Sequence, residues 1–396
     1  MLTSRRIHLA TVACVAASAL AFPADAKPAF QVIYNFTGGA DGGAPPYTLV
    51  SDGKKGFLGT ASFGGANGNG LVFQLVQKKS KWNIRPLYNF ADQDGEPGWG
   101  LVRAGGSLYT NATYASVMGG PCGSALQLNH ASGGWSSVLM RTYVKSQDGC
   151  PTGNLYVDRT GNVFGVTQSG GSIGWGSIFE LSYAKGSWSE KILYSFTGGS
   201  DGGAPYSELV ADAAGNLYGT ASAKGAAGWG TVFELSPNGS DWTYNVIHTF
   251  EGSSDGGQPV AALTFDKSGN LFGASTSSGP KGGGTVFELT PSGANWNFSL
   301  LASMTGSDGP VAALTLDAKG NIYGTNFMDG TAAYGSVFSL TPGAKGWKYK
   351  DLHDFTSGSD GGYPGGGVTL DANGNLFGTA VLGGANNFGV IYEIAK

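Results

Sequence analysis

Seven aspartates, Asp41, Asp94, Asp148, Asp201, Asp255, Asp308 and Asp360, each precede a glycine and recur at near-constant spacing. Carboxylates gathered in a ring could bind a cation, work as an acid/base pair on a glycosidic bond, or hold turns. Calcium takes about 6 to 8 oxygen ligands, and one Asp per unit without an Asp-x-Asp-x-Asp loop makes a weak calcium site. A glycosidase pair needs carboxyls roughly 5 to 9 Å apart, a separation that chain spacing does not specify. Asp-Gly ahead of proline is also a good turn, its side chain accepting backbone N–H groups, and this reading is favoured. A second series, Asp52, Asp158, Asp212, Asp266, Asp317 and Asp371, keeps step with Gly-Asn and reads as turn capping. His130, His248 and His353 never share a loop with two others, and Cys-x-x-Cys is absent. The usual zinc ligand set is therefore missing, and neither a metal nor a cofactor is expected.

Aromatic residues are more suggestive. Trp82, Trp135, Trp188, Trp242, Trp296 and Trp347 are periodic and read as packing, whereas Trp99, Trp175 and Trp229 fall elsewhere. Tyr334 and Phe388 occupy the slot of Trp175 and Trp229, just before a glycine. Rings beside carboxylates suit a polar ligand with an apolar flank, such as a sugar ring. The candidate ligand-binding set is Trp99, Trp175, Trp229 and Tyr334 with Asp148, Asp201 and Asp255. The alternative is that these rings pack between neighbouring units. Cys122 and Cys150 are the only cysteines left if the first 26 residues are removed, and they are expected to form a disulfide.

The elements that would position these residues repeat. An aromatic or apolar residue ahead of the Asp-Gly turn falls at Phe36, Phe90, Tyr143, Phe196, Phe250, Met304 and Phe355, with spacings of 54, 53, 53, 54, 54 and 51. Each unit continues with Leu-x-x-Asp, Gly-Asn-Leu-Tyr-Gly-Thr-like and Gly-x-Val-Phe-x-Leu runs, then a segment opened by tryptophan. In the fourth unit these predict strands over Tyr206 to Asp212, Asn216 to Ala221, Thr231 to Leu235 and Trp242 to Phe250, bounded by turn residues. Glycine supplies 69 of 396 residues, more than twice the usual share of roughly 7%, which disfavours helices. With 41% hydrophobic residues there is ample core, so disorder is excluded too.

Four short strands every 50-odd residues is the pattern of a β-propeller. A linear array or a solenoid is the competing arrangement, and the ends decide against it. Phe30 to Phe36 matches the fourth strand of a unit, while Ile391 to Ile394 matches a third. In a closed ring the first strand completes the last blade and removes an open edge. The expectation is an all-β, seven-bladed β-propeller of four-stranded antiparallel blades over residues 27–396. Loops joining fourth strands to the next blade, and second strands to third, share one face, called the top here.

The repeated Gly-Gly-x-Asp-Gly-x-x-Pro, Asp-x-x-Gly-Asn-Leu-Tyr-Gly-Thr and Gly-x-Val-Phe-x-Leu runs resemble the GloVer tandem repeat of exported bacterial "choice-of-anchor" proteins. The resemblance covers nearly all of residues 31–396. It implies an exported repeat protein and carries no catalytic residues with it. Residues 1–26 fit that expectation: Arg5 and Arg6 precede an apolar run from Leu9 to Phe22, and Ala24-Asp25-Ala26 follows, the pattern of a cleaved signal peptide. The Arg pair is read as an ordinary n-region, with a twin-arginine signal as the alternative. The apolar run is too short to span a bilayer, and no C-terminal anchor is expected, so the reading is periplasmic or secreted. A formal net charge of −4 with no basic cluster argues against nucleic acid. The expected role is a binding or scaffold module with a glycan or peptide/protein ligand on the top face, the alternative being a propeller hydrolase or lyase using top-face carboxylates.

Overall fold

The computed structural model describes residues 29–114 and 120–395; the expected signal peptide lies outside them. All regular secondary structure among the described residues is β. The strands form seven antiparallel sheets, set around an axis as the blades of a seven-bladed β-propeller. Blades are numbered here in chain order.

Blade four is representative. Its outer three strands are Leu217–Ala223, Thr231–Asn238 and Asp241–Thr249. The innermost strand comes in two pieces, Gly203–Pro205 and Val210–Ala211, both paired with Leu217–Ala223. The sequence predicts one strand from Tyr206 to Asp212, but residues 206–209 leave the ladder. Near the axis, backbone acceptors in this stretch turn to the neighbouring blade instead. Thr152 donates to the Pro205 carbonyl at 3.1 Å, Thr325 to Gly366 at 2.9 Å and Thr379 to Tyr47 at 3.0 Å. These bonds satisfy buried carbonyls that a ladder would otherwise serve.

Apolar residues alternate along the third strand so that Thr231 to Leu235 is buried nearly throughout. The second-strand glycine exists for a reason. A Cβ at Gly219 would sit 2.6 Å from the tip of Phe233, so only glycine lets that ring lie flat between blades. The periodic tryptophans pack onto the preceding blade, as the sequence suggests: Trp82 lies 5.5 Å from Phe377, Trp296 5.7 Å from Tyr218 and Trp242 6.2 Å from Phe164, centroid to centroid.

Closure follows the phase shift of the two ends. Ala29–Asn35 pairs antiparallel with Val390–Ala395, from Ala29 opposite Ala395 to Asn35 opposite Val390. On the far side of that blade, the Gly367 N–H donates to Thr48 Oγ1 at 2.8 Å and Thr369 donates to the Leu49 carbonyl. A disulfide joins Cys122 in blade two to Cys150 at the start of blade three, with Cα atoms 5.5 Å apart.

Candidate ligand site in the central channel

Six of the seven Asp-Gly aspartates are turn clasps. Asp201 accepts hydrogen bonds from the Thr197 N–H at 2.7 Å, the Thr197 hydroxyl at 2.5 Å and the Tyr194 hydroxyl at 2.9 Å. Burial alone would raise the Asp201 carboxyl, but the bonds from Thr197, Tyr194 and Gly199 outweigh it and hold the group below its ordinary value. The same outer-strand slot supplies Tyr34 to Asp41, Tyr88 to Asp94, Arg141 to Asp148, His248 to Asp255 and His353 to Asp360. The second series caps the opposite hairpins: Asp212 accepts from the Ala214 and Asn216 N–H groups at 2.8 and 2.9 Å.

Asp308 departs from the ring. Its loop is short, with Met304 only six residues before Pro310 where Phe196 stands nine before Pro205. Asp308 therefore pairs with Met328 in the ladder, the place Gly203 takes opposite Ala223 in blade four. Asp308 is instead among the residues lining the central cavity, and its carboxylate accepts no hydrogen bond from the described residues.

The top-face rings rest on turns. Trp175 covers Gly198 and Gly203, where added Cβ atoms would come within 2.3 and 3.0 Å of the indole, and Lys224 Nζ stands over the ring, 4.4 Å from its centroid. Trp229 covers Gly252 and Gly257 in the same way. Phe388 lies over Gly38, and Tyr334 packs edge-on against Tyr363 at 5.4 Å. Each ring thus bridges its own blade to the connection leading into the next. Of the candidate set, the structure brings Trp99 into a cavity; Trp175, Trp229, Tyr334, Asp148, Asp201 and Asp255 lie outside its lining.

That cavity occupies the channel, has a volume of about 820 Å³, and is lined by the innermost strands of all seven blades. Its chemistry comes from one slot of the repeat. Every blade has a proline and, four residues on, a buried apolar residue: Leu49, Leu101, Leu155, Leu209, Leu263, Leu314 or Val368. The three residues between them face the axis region and do not repeat. They are Pro-Tyr-Thr, Gly-Trp-Gly, Thr-Gly-Asn and Tyr-Ser-Glu in blades one to four, then Val-Ala-Ala twice and Gly-Gly-Gly. One arc of the wall is aromatic and polar, and the other is small and apolar.

On the furnished arc, Trp99 lies 5.7 Å from Tyr47 and 5.1 Å from Tyr206 between ring centroids. Tyr47 is held by donating its hydroxyl to the Gly98 carbonyl. The Asn154 side chain lies over Gly100, where a Cβ would meet its Oδ1 at 2.8 Å. Asn154 bonds to Glu208, whose carboxyl burial pushes up while the Asn154 bond pulls it down. The indole Nε1 of Trp99 is buried with no hydrogen-bond partner among the described residues. Asp308 marks the upper end of the lining; Arg103, in a hairpin where it pairs with Leu108, marks the lower. Sequence reasoning passes over Tyr47, Asn154, Tyr206 and Glu208. Their signal is the break in periodicity itself, at a fixed offset inside an otherwise faithful repeat.

The fold and site define a closed, tandem-repeat propeller whose scaffold is uniform and whose channel wall is individual. The chain belongs to the Gloeobacter/Verrucomicrobia repeat family, whose model matches residues 18–214 and 205–396. No curated protein matches its sequence. Among solved structures, a candidate 6-phosphogluconolactonase from Bacteroides uniformis is 13% identical with a TM-score of 0.51, covering 78% of this chain and 84% of its own. The extracellular domain of a candidate one-component system from B. thetaiotaomicron is 10% identical with a TM-score of 0.56, covering 91% of this chain and 39% of its own. At these identities the likeness is one of fold.

Proposed function

We propose that the protein is an exported binding module that takes a saccharide into its channel. The observation that carries this is the non-repeating slot: on a scaffold that repeats seven times, Tyr47, Trp99, Asn154, Tyr206 and Glu208 collect on one arc of one cavity. Large rings bury apolar area with little entropy lost, and the neighbouring amide and carboxyl groups can exchange hydrogen bonds with hydroxyls. A volume of about 820 Å³ lies within the range of small-molecule sites, roughly 300 to 1,000 Å³. Binding is favoured over hydrolysis because six acids of the Asp-Gly ring are committed to turns and away from the cavity. Export is supported by the leader pattern of residues 1–26 and by the disulfide, which persists in oxidising compartments.

Titration of the purified protein with a panel of oligosaccharides, followed by calorimetry, tests the site. Trp99→Ala should abolish binding of any ligand found while leaving the circular dichroism spectrum intact. Binding unaffected by that substitution would remove the channel from consideration. A secreted product whose N-terminus is not at or near Lys27 would count against the leader.

A further inference from the structure

We propose that the channel ligand is an amphiphilic glycoside, a sugar carrying an apolar aglycone, with the sugar on the arc of blades one to four and the aglycone against the wall of blades five to seven. This deepens the saccharide reading above and rests on it. The two sides of the one cavity differ in kind. Tyr47, Trp99, Asn154, Tyr206 and Glu208 bring rings and hydrogen-bonding groups from blades one to four, whereas blades five to seven contribute Val260, Ala262, Val311, Ala312, Phe327 and Val381. Two polar groups on that second side are engaged within the protein. The Thr276 hydroxyl donates to the Gln258 carbonyl at 2.9 Å, and the Gly366 carbonyl accepts from Thr325 at 2.9 Å. The charged exception, Asp308, marks the upper end of the lining.

Size makes the second wall a binding surface. At about 820 Å³ the cavity stands near the top of the range for drug-sized ligands, roughly 300 to 1,000 Å³, so a lone sugar ring on the furnished arc leaves water against the opposite wall. Water on valine, alanine and phenylalanine is unfavourable, and an apolar group that displaces it gains in proportion to the area covered. A second sugar ring does not, because its hydroxyls would leave bulk water for a wall that offers few partners. An alkyl or aryl aglycone carries no such groups. The sugar side, by contrast, is built tightly. A Cβ at Gly153 would come within 2.6 Å of the Ser207 backbone and 2.7 Å of the Glu208 nitrogen, and one at Gly366 within 2.4 Å of the Tyr47 and Thr48 backbone. The strands that carry Glu208 and Tyr47 therefore lie close against the preceding blades, which preorganises the arc.

The test titrates the purified protein with methyl and hexyl β-glycosides of glucose, galactose and mannose, below micelle-forming concentrations, and with 1-hexanol as the aglycone alone. Each methylene that reaches the apolar wall should improve affinity about two- to fourfold. For the sugar that binds best, the hexyl glycoside should therefore bind at least about thirtyfold more tightly than the methyl glycoside, and at least about tenfold more tightly than 1-hexanol. Val260→Thr combined with Val311→Thr, which adds hydroxyls to the wall at nearly constant shape, should shrink the hexyl advantage to about tenfold or less. Ala312→Ser, a smaller change, should move it in the same direction and guards against a folding defect of the double variant. Trp99→Ala should abolish binding of all the glycosides. A hexyl advantage under about threefold, or one that survives both wall variants, overturns the amphiphile assignment, and saccharide binding stands if the methyl glycosides still bind and Trp99→Ala abolishes it. Binding of 1-hexanol as tight as that of the hexyl glycosides, or absence of binding by every ligand, overturns both.

Discussion

Truncating Phe36 and Phe196 in parallel tests whether the first strand is a full member of the ring. Both side chains are fully buried, and their surroundings match. Phe36 lies 5.5 Å from Phe73 and 5.2 Å from Tyr34, and Phe196 lies 5.5 Å from Phe233 and 5.3 Å from Tyr194. The Phe36 backbone is also held from the far end of the chain, its N–H donating to the Gly389 carbonyl at 3.1 Å and its carbonyl accepting from Asn386 at 2.9 Å. A buried phenylalanine removes about 150 to 250 Å² from water, worth about 4 to 6 kcal/mol at 25 cal/mol per Å². Alanine keeps part of that area and a cavity opens, so each substitution should cost about 3 to 5 kcal/mol. Urea unfolding followed by circular dichroism, with the m-value checked for constancy, reads both. Equal losses are expected. A loss under about 1 kcal/mol for Phe36→Ala beside about 3 to 5 for Phe196→Ala would refute closure by the N-terminal strand.

Replacing Cys122 and Cys150 by serine frees a segment with a sequence separation of 28; on the chain-entropy model this should cost about 3 to 4 kcal/mol, measured by urea unfolding, and alkylation of the unreduced wild type should find no free thiol. Burial raises the Asp317 carboxyl, but bonds from Asn321, Tyr323 and the Lys319 N–H outweigh it and bring it to about 2. A depressed carboxyl stabilises the fold above its unfolded value of about 3.9, and that contribution fades as pH falls toward 2. Discounted for solvent exposure, Asp317→Asn should cost about 1 kcal/mol at neutral pH and flatten the stability profile between about pH 4 and 2. Trp175→Ala combined with Trp229→Ala should lower stability by about 1 to 3 kcal/mol and leave channel affinity unchanged. Lost binding with unchanged stability would restore the top-face arc as the ligand surface.

The blades were legible because their determinants are local and recur: Asp212 with Asn216, Phe233 over Gly219, and Trp242 against the previous blade each appear in register in most units. The phase of Phe30 to Phe36 against Ile391 to Ile394 made closure legible for the same reason. The site was harder to see because it depends on residues that do not recur. Tyr206 and Glu208 read as ordinary strand positions, and it is convergence on the axis, a property of seven blades together, that takes them off the ladder. Trp99 stood out by type, but grouping it with Trp175 and Trp229 missed that it precedes Leu101 by the same two residues by which Tyr47 precedes Leu49. Asp308 looked like its six counterparts, and the three residues missing between Met304 and Pro310 were the clue to its different place.

The pairing of residues 29–35 with 390–395 also orders events in time. A chain emerging from the ribosome can complete blades one to six as it grows, each from local hairpins, while its first strand waits for partners more than 350 residues away. Equilibrium tolerates that wait well: closing a loop of about 360 residues instead of about 20 adds only about 2.6 kcal/mol of entropy cost, less than one buried phenylalanine returns. Kinetics does not, because until the last strand is made both the waiting strand and the unfinished seventh sheet present unpaired edges. The ring is therefore most open to wrong partners, including the equivalent strand of a second nascent chain, in the interval just before it becomes most resistant to them.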